Sequence, residues 1–116
     1  MRDDVRLFSY GTLKLPEVQR VTFGRLLEGA ADVLPGYRLE ALTITDPEVV
    51  RVSGLAVHRI ARRTGDPADT IAGVAFALTA AELAATDAYE MDAYVRVQVR
   101  LASGVAAFAY VAPGAA

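Results

Sequence analysis

The chain contains no cysteine and a single histidine, His58, among its 116 residues. The absence of cysteine excludes disulfide bonds, zinc sites built from thiolates, and catalysis by a thiol. One histidine cannot build a metal site from several imidazoles, and a serine hydrolase triad would have to use His58 itself. Because Ser9 and Ser53 also lack the sequence context of a nucleophilic serine, serine hydrolysis is not expected.

The sequence also lacks a strong net charge and any long apolar run. A formal net charge of −2 predicts neither a basic surface for nucleic acid nor a polybasic membrane patch. No apolar run reaches the roughly 18 residues that could span a bilayer. Asp3 and Asp4 near Met1 do not fit a signal region, which is basic and then apolar. We therefore expect a soluble, cytoplasmic protein, a monomer or weak homodimer, with neither nucleic acid nor membrane as a partner.

Apolar residues make up 53% of the chain, which excludes a disordered protein. The length fits a single domain over residues 1–116. A domain of this size buries roughly two thirds of the surface of its unfolded chain, enough for a hydrophobic core. No internal repeat divides the sequence.

A first short helix is predicted to begin at Pro16 and to stop just before Gly24. Proline suits the first turn of a helix, where its missing N–H is not needed, and glycine suits the position after the last turn. Glu17 complements the positive end of the helix dipole. On this helix, Val18 and Val21 are expected to face the core.

A second helix is predicted from a capping box. Thr79 and Glu82 have the spacing at which the threonine hydroxyl and the glutamate carboxylate each accept a hydrogen bond from a free N–H at the helix start. The helix is expected to end at about residues 89–90.

Strands are predicted over most of the remaining chain. The clearest is 94–101, in which valines alternate with polar residues. The segments 70–78 and 105–111 are apolar on both faces, which is typical of strands buried on both sides. Gly73 inside the former indicates a bulge or a close approach of another group. Further strands are expected before Gly11 and over 26–33 and 37–44.

These elements predict an α+β domain in which a sheet of about six strands curls into a barrel. The least regular region is 45–70, where Asp46-Pro47 and Gly65-Asp66-Pro67 are turn signals.

The first stretch with chemical meaning ends the N-terminal strand at Tyr10, Gly11 and Thr12. Glycine lets the chain turn sharply there and lets another group approach the main chain. A strand that turns in this way leaves several N–H groups pointing in one direction, and such donors can hold a carboxylate or a developing oxyanion. The alternative is that Gly11 only ends the strand.

The second such stretch is the end of the second helix, at Glu90. The partial negative charge of a helix C-terminus disfavours a further negative charge. Desolvation by Tyr89 and Met91 would act in the same direction. Both effects would raise the pKa of Glu90 toward the range of a general base. The alternative is an ordinary solvated glutamate at a helix end.

Taken in order, these stretches resemble the gamma-glutamylcyclotransferase-like family. The first landmark is Phe8–Lys14, which reads Phe-Ser-Tyr-Gly-Thr-Leu-Lys. The second is Leu83 followed by Asp87–Glu90 and Tyr94–Arg96, which matches a leucine, an aspartate-x-x-glutamate and a tyrosine-x-arginine. The third is the closing strand Ala107–Val111. Order and spacing agree over nearly the whole chain.

The resemblance implies a small mixed β-barrel with two or more short helices packed on it and a pocket at one end. It implies cyclisation of a small-molecule γ-glutamyl substrate, a peptide or an amine, to 5-oxoproline. Glu90 matches the catalytic glutamate, which moves protons in this reaction. Tyr10, Gly11, Thr12 and Leu13 match the loop whose N–H groups hold the substrate. This chemistry needs no metal, thiol or cofactor.

Two tyrosines are weaker candidates for substrate contact. Tyr94 shares strand parity with Arg96 and Gln98, which places it on the polar side of its strand unless it precedes the strand or sits at a bulge. Tyr110 lies on a strand predicted to be buried, where a tyrosine is more often part of the core than of a binding site.

Other residues near these motifs are interpreted differently. Asp87 is expected to brace the helix end, and His58 is interpreted as a structural or loop residue. Met91 stands where many members of the family have glycine, which would reshape the pocket. Two alternative functions remain open: a non-catalytic module that binds a small metabolite in the same pocket, and a structural interaction domain with a filled barrel.

Overall fold

The computed structural model describes residues 5–43, 57–89 and 94–112, and for a few of these only the main chain. In chain order the elements are β1 (Val5–Ser9), a 3-10 turn (Thr12–Lys14), α1 (Pro16–Phe23), β2 (Glu28–Pro35), β3 (Tyr37–Thr43), β4 (Val57–Arg63), β5 (Thr70–Leu78), α2 (Ala80–Tyr89), β6 (Val95–Arg100) and β7 (Ala106–Val111).

Five of these strands form a mixed sheet in the order β2-β5-β1-β7-β6, and β3 pairs with β4 in a second sheet. Neighbouring strands are antiparallel except β1 and β7, which run parallel with Leu7 opposite Phe108. The predicted α+β class and its two helices are confirmed. The described strands divide into these two sheets and do not close into one barrel.

A bend after β2 explains the division. β2 pairs with β5 as far as Pro35, opposite Thr70. The chain then turns at Gly36, whose φ of 83° favours glycine, and continues as β3 against β4. The N–H of Gly36 donates to the Asp69 carbonyl at 2.8 Å, and its carbonyl accepts from the N–H of Thr64 at 2.8 Å. These bonds fix the point at which the strand changes partner.

The two edges of the five-stranded sheet meet at one place. The N–H of Ala102, just after β6, donates to the Val33 carbonyl of β2 at 2.9 Å. Beside this bond, the Asp32 carboxylate accepts hydrogen bonds from the hydroxyl and the N–H of Ser103. The Ser103 hydroxyl lowers the pKa of Asp32 below its ordinary value. The two edge strands of the sheet therefore approach each other at this end, but the described strands do not close into the predicted barrel.

Both faces of the five-stranded sheet are buried. One face, with Phe8, packs toward β3 and β4, and the other, with Leu7, packs against the helices. The central strands therefore bury alternate residues on opposite sides, which is why 70–78 and 105–111 are apolar throughout.

The first helix has the predicted bounds, but one of its two predicted core residues is wrong. Val18 is buried, whereas Val21 is 78% exposed. The other buried residue of α1 is Gln19. Val21 lies two residues further on, about 200° around the helix, and therefore faces water. Gly24 ends the helix as predicted, with φ of 72°.

The second helix begins with the predicted capping box. The N–H of Thr79 donates to Oε1 of Glu82 at 2.9 Å, and the N–H of Glu82 donates to Oγ1 of Thr79 at 3.1 Å. The same carboxylate accepts two hydrogen bonds from the Arg25 guanidinium, at 2.8 and 2.7 Å. Arg25, more than the cap, lowers the pKa of Glu82 to about 2. This ion pair ties the chain after α1 to the start of α2.

Replacing Glu82 with glutamine is expected to weaken the dependence of the free energy of unfolding on pH in the acid range. Because the folded-state pKa lies below the unfolded value of about 4.5, the carboxylate stabilises the fold fully above that pH. Its contribution is lost as the pH falls from there toward 2. Urea unfolding at several pH values, with Glu17→Gln as a control at an exposed carboxylate of α1, measures the difference. Parallel curves for Glu82→Gln and the wild type would contradict it.

Gly73 is the close approach that the sequence indicated. A Cβ atom there would lie 2.5 Å from the Ser9 carbonyl oxygen of β1 and 2.7 Å from the Phe8 ring. At Gly29, the corresponding Cβ would meet only the side chains of Phe76 and Val74. A main-chain neighbour within a paired strand cannot move as a side chain can.

We therefore expect Gly73→Ala to lower the free energy of unfolding by about 1–3 kcal/mol or more, the usual cost of overpacking, and to cost more than Gly29→Ala. Chemical denaturation of both variants measures the order, and a larger loss at Gly29 would contradict it.

Candidate active site

The turn after β1 has the form that the sequence predicted. The chain leaves the strand at Tyr10, and the N–H of Lys14 donates to the Gly11 carbonyl at 3.2 Å to close a 3-10 turn. The first N–H groups of a helical turn have no acceptor within it. That this turn holds the substrate stays a prediction. The Leu13 side chain is buried with Leu7 and Val18, so only its main chain remains for the predicted substrate contact.

A buried glutamine holds this turn in place. Nε2 of Gln19 donates to the Leu13 carbonyl at 2.8 Å, and its Oε1 accepts from the N–H of Leu27 at 2.9 Å. The side chain thus joins the turn, α1 and the chain leading to β2. Sequence reasoning missed Gln19. The available signal was a polar residue beside Val18 on the inward side of a short helix.

The hydroxyl of Tyr10 connects three strands. It donates to the Tyr110 carbonyl of β7 at 2.6 Å and accepts from the N–H of Ala61 in β4 at 2.9 Å. Tyr10 itself follows β1. The predicted substrate residue Tyr10 therefore also supports the attachment of the two-stranded sheet to the larger one.

The side chain of Tyr110 joins β7 to the last turns of α2. Its hydroxyl lies 2.6 Å from Oγ1 of Thr86 and donates to Oδ1 of Asp87 at 2.6 Å. The other carboxylate oxygen of Asp87 accepts from Nη1 of Arg96 at 2.7 Å. Tyr110 and Thr86 are buried, 6% and 0% exposed. Asp87 thus braces the helix end, as expected from the sequence, whereas Thr86 and Arg96 were not predicted as its partners.

Tyr94 lies on the same side of the sheet as Arg96, as strand parity predicted. The Arg96 guanidinium stacks 5.1 Å from the centre of the Phe108 ring, and Tyr94 packs with Phe108 and Tyr110 in the cluster beneath the helices. The Tyr94 hydroxyl donates to the Arg59 carbonyl at 3.1 Å. The polar side chains on this face of β6, those of Arg96, Gln98 and Arg100, are exposed.

Glu90, the predicted base, lies outside the described residues, as does Met91. The description of α2 ends at the main chain of Tyr89, and the side chains of Thr12 and His58 are likewise not described. The structure therefore brings together Tyr10, Tyr110 and the two residues of α2 that precede Glu90 by three and four positions. The position of Glu90 remains a prediction.

A cavity of about 590 Å³ lies elsewhere, between β6 and the bend after β2, and none of the predicted site residues lines it. Within 5–43, 57–89 and 94–112, no three histidine, aspartate or glutamate residues are grouped as a metal site would require. In the same ranges, neither helix has the length and apolar character needed to cross a membrane.

Solved structures share this fold at low sequence identity. A gamma-glutamyl cyclotransferase aligns with a TM-score of 0.73 at 16% identity, over 93% of this chain and 66% of that one. A protein of Arabidopsis thaliana, solved in solution, aligns at 0.70 and 24% identity, over 93% of this chain and 61% of that one. An allophanate hydrolase of Kluyveromyces lactis aligns at 0.71 and 15% identity, over 95% of this chain and 17% of that one.

These likenesses define the class as a small α+β domain of the cyclotransferase fold, which occurs both as most of a protein and as a module of a larger one. A family model described as gamma-glutamyl cyclotransferase, AIG2-like, matches residues 7–116, and the chain belongs to that family. No curated protein matches the chain. The resemblance drawn from the three sequence landmarks is confirmed.

Replacing Tyr10 with phenylalanine is expected to lower the free energy of unfolding by about 1–3 kcal/mol, because it leaves the Tyr110 carbonyl and the Ala61 N–H without their partner. Tyr37→Phe is the matched control, since its half-buried hydroxyl makes no hydrogen bond within the described part of the chain. Urea unfolding compares the two variants. Equal stability would show that the Tyr10 hydroxyl is not a structural bridge.

Proposed function

We propose that this protein is a gamma-glutamyl cyclotransferase that converts a γ-glutamyl peptide or γ-glutamyl amine to 5-oxoproline and a free amino acid or amine. Membership of the family supports a function of this kind. The structural observation that carries the proposal is the position of Tyr110. Its carbonyl binds Tyr10 at the start of the turn, and its hydroxyl binds Asp87 near the end of α2.

In this arrangement the turn after β1 and the end of α2, the two parts of the proposed site, both bond to Tyr110. The turn at Gly11–Leu13 would supply N–H donors, and the helix end would supply Glu90. Because the Asp87 carboxylate is also paired with Arg96 on β6, the last turn of α2 is held by two neighbouring strands.

The proposed reaction is intramolecular. Glu90 takes a proton from the α-ammonium of the γ-glutamyl group, and the freed amine attacks the γ-carbonyl carbon. The new C–N bond closes a five-membered ring, and the negative charge on the carbonyl oxygen is stabilised by the N–H groups of the turn. As the bond to the leaving nitrogen breaks, Glu90 returns the proton to that nitrogen. The ring nitrogen then gives up its extra proton through Glu90 to the departing amine, which leaves as an ammonium ion.

Positioning supplies much of the rate of such a cyclisation, because both reacting groups belong to one molecule. The protein needs to hold the substrate folded upon itself, with one base nearby. In this proposal the side chains of Tyr10, Tyr94 and Tyr110 mainly form walls of the site, since their hydroxyls bond to protein groups. The reaction uses no metal or cofactor. We propose that it takes place in the cytoplasm, in a monomer or weak homodimer.

The test is release of 5-oxoproline from a panel of γ-glutamyl dipeptides and γ-glutamyl amines. We expect the wild type to release it with at least one substrate, with the rate unchanged by a chelator. Glu90→Gln should bind that substrate but lose at least about a hundredfold in kcat, the usual contribution of a general base. The best substrate would identify the leaving group.

Tyr110→Phe separates positioning from substrate binding in the same assay. If Tyr110 holds the helix end, kcat falls while KM changes little. A rise in KM alone would assign the hydroxyl to the substrate. Turnover by Glu90→Gln at the wild-type rate would exclude Glu90 as the base. Binding of γ-glutamyl compounds without release by folded wild-type protein would favour a non-catalytic binding module.

A further inference from the structure

Strand β6 forms an edge of the five-stranded sheet and pairs only with β7 among the described residues. The N–H of Leu101 donates to the Val105 carbonyl at 2.9 Å, in the same register as the ladder. Hydrogen-bonded pairs alternate along an antiparallel ladder. The peptide groups of Arg96, Gln98 and Arg100 therefore point away from β7.

One further N–H group along this edge does have a hydrogen-bond acceptor. The N–H of Ala102, next in the same alternation, donates to the Val33 carbonyl of β2. An antiparallel continuation of that pairing would bring Arg100 opposite Pro35, which has no N–H to donate. The chain then turns away at Gly36. Within the part of the chain that the structure describes, Arg96 and Gln98 therefore have no facing strand, and Arg100 faces only Pro35, with which it makes no main-chain hydrogen bond.

The space left between β6 and the wall formed by residues 34–37 and 63–67 is the cavity of about 590 Å³, here called the β6 cleft. Its wall is fixed, because Gly36 is hydrogen-bonded to Asp69 and Thr64. At its far end, the N–H of Ala112 donates to the Ala61 carbonyl at 2.8 Å. The volume falls within the range of ligand sites, roughly 300–1,000 Å³.

The lining of the β6 cleft is apolar and cationic. Val97 and Val99 belong to the core on the inner side of the sheet, and Arg63 and Arg100 are the charged lining residues. No acidic residue of the described chain lines the cleft. The nearby Asp66 carboxylate accepts from the N–H of Ala68 in its own turn.

The charges of β6 disfavour a second copy of the chain as the occupant. Antiparallel pairing of two β6 strands centred on Gln98 would place Arg96 of each copy opposite Arg100 of the other. Like charges directly opposite each other destabilise a strand pair, and charged residues on an edge strand are a known protection against such pairing. The same arginines favour an acidic partner.

We propose that the β6 cleft binds an extended peptide segment whose acidic and apolar side chains alternate, by addition of a strand to the β6 edge. Cross-strand neighbours point to the same face. Residues opposite Val97 and Val99 would therefore turn apolar side chains inward, and a residue opposite Gln98 would place a carboxylate on the face that carries the Arg100 guanidinium. The peptide groups of Arg96, Gln98 and Arg100 would supply the main-chain hydrogen bonds, as in other strand-addition complexes.

The test titrates the full chain into the peptide Val-Glu-Val-Glu-Val-amide, labelled with fluorescein at its N-terminal amine, and follows binding by fluorescence anisotropy. We expect saturable binding that is about tenfold weaker for Arg63→Glu/Arg100→Glu, equivalent to about 1.4 kcal/mol. Arg20→Glu, an exposed arginine of α1, is the matched control and should bind as the wild type does. Circular dichroism verifies that each variant is folded.

Two further measurements distinguish strand addition from nonspecific attraction. In ¹H–¹⁵N spectra, the peptide should shift the amide signals of Arg96, Gln98 and Arg100 and slow their hydrogen exchange. A peptide with lysine in place of glutamate, or with alternate amides methylated, should bind at least tenfold more weakly. Equal binding of the lysine peptide would overturn the proposal, as would shifts confined to Gly11–Lys14. Slow exchange of the three amides without peptide would show the edge already occupied, and would also overturn it.

Discussion

The structure depends most on the hydrogen bonds made from both sides of one residue of β7. The Tyr110 carbonyl accepts from the Tyr10 hydroxyl, and the Tyr110 hydroxyl meets Thr86 and Asp87. The Tyr10 hydroxyl in turn accepts from the N–H of Ala61. The smaller sheet, the turn after β1 and the end of α2 are therefore all connected to Tyr110. Loss of one partner would leave a buried polar group without a hydrogen bond, which costs free energy of folding. We therefore expect these hydrogen bonds to form or break together.

A strand inside the sheet, such as β7, can connect these elements because it is covered on both faces. Side chains of β7 reach the helices on one side, and its main chain reaches Tyr10 on the other. A half-exposed strand could hold one of these neighbours but not both. The proposed cyclisation would depend on positioning, which a rigid frame of this kind favours.

Local features of the fold could be predicted from the sequence, and long-range ones could not. Gly24, the pair of Thr79 and Glu82, and the crowded Gly73 each follow from the needs of a few neighbouring residues. The change of partner at Gly36 depends on segments far away in the chain, and so does the inward turn of Gln19. For the site, the turn at Tyr10 and the bracing role of Asp87 followed from the residues. The assignment of Glu90 rests on the family resemblance, since an isolated glutamate at a helix end carries no distinguishing pattern.

Three carboxylates whose pKa values are lowered join segments that are distant in the chain. Asp32 bonds to Ser103 across 71 positions, Glu82 to Arg25 across 57, and Glu40 to Arg62 across 22. None of these bonds forms part of a backbone ladder. Protonation of these carboxylates in acid would therefore weaken side-chain connections between distant segments, while the hydrogen bonds of the backbone ladders remain.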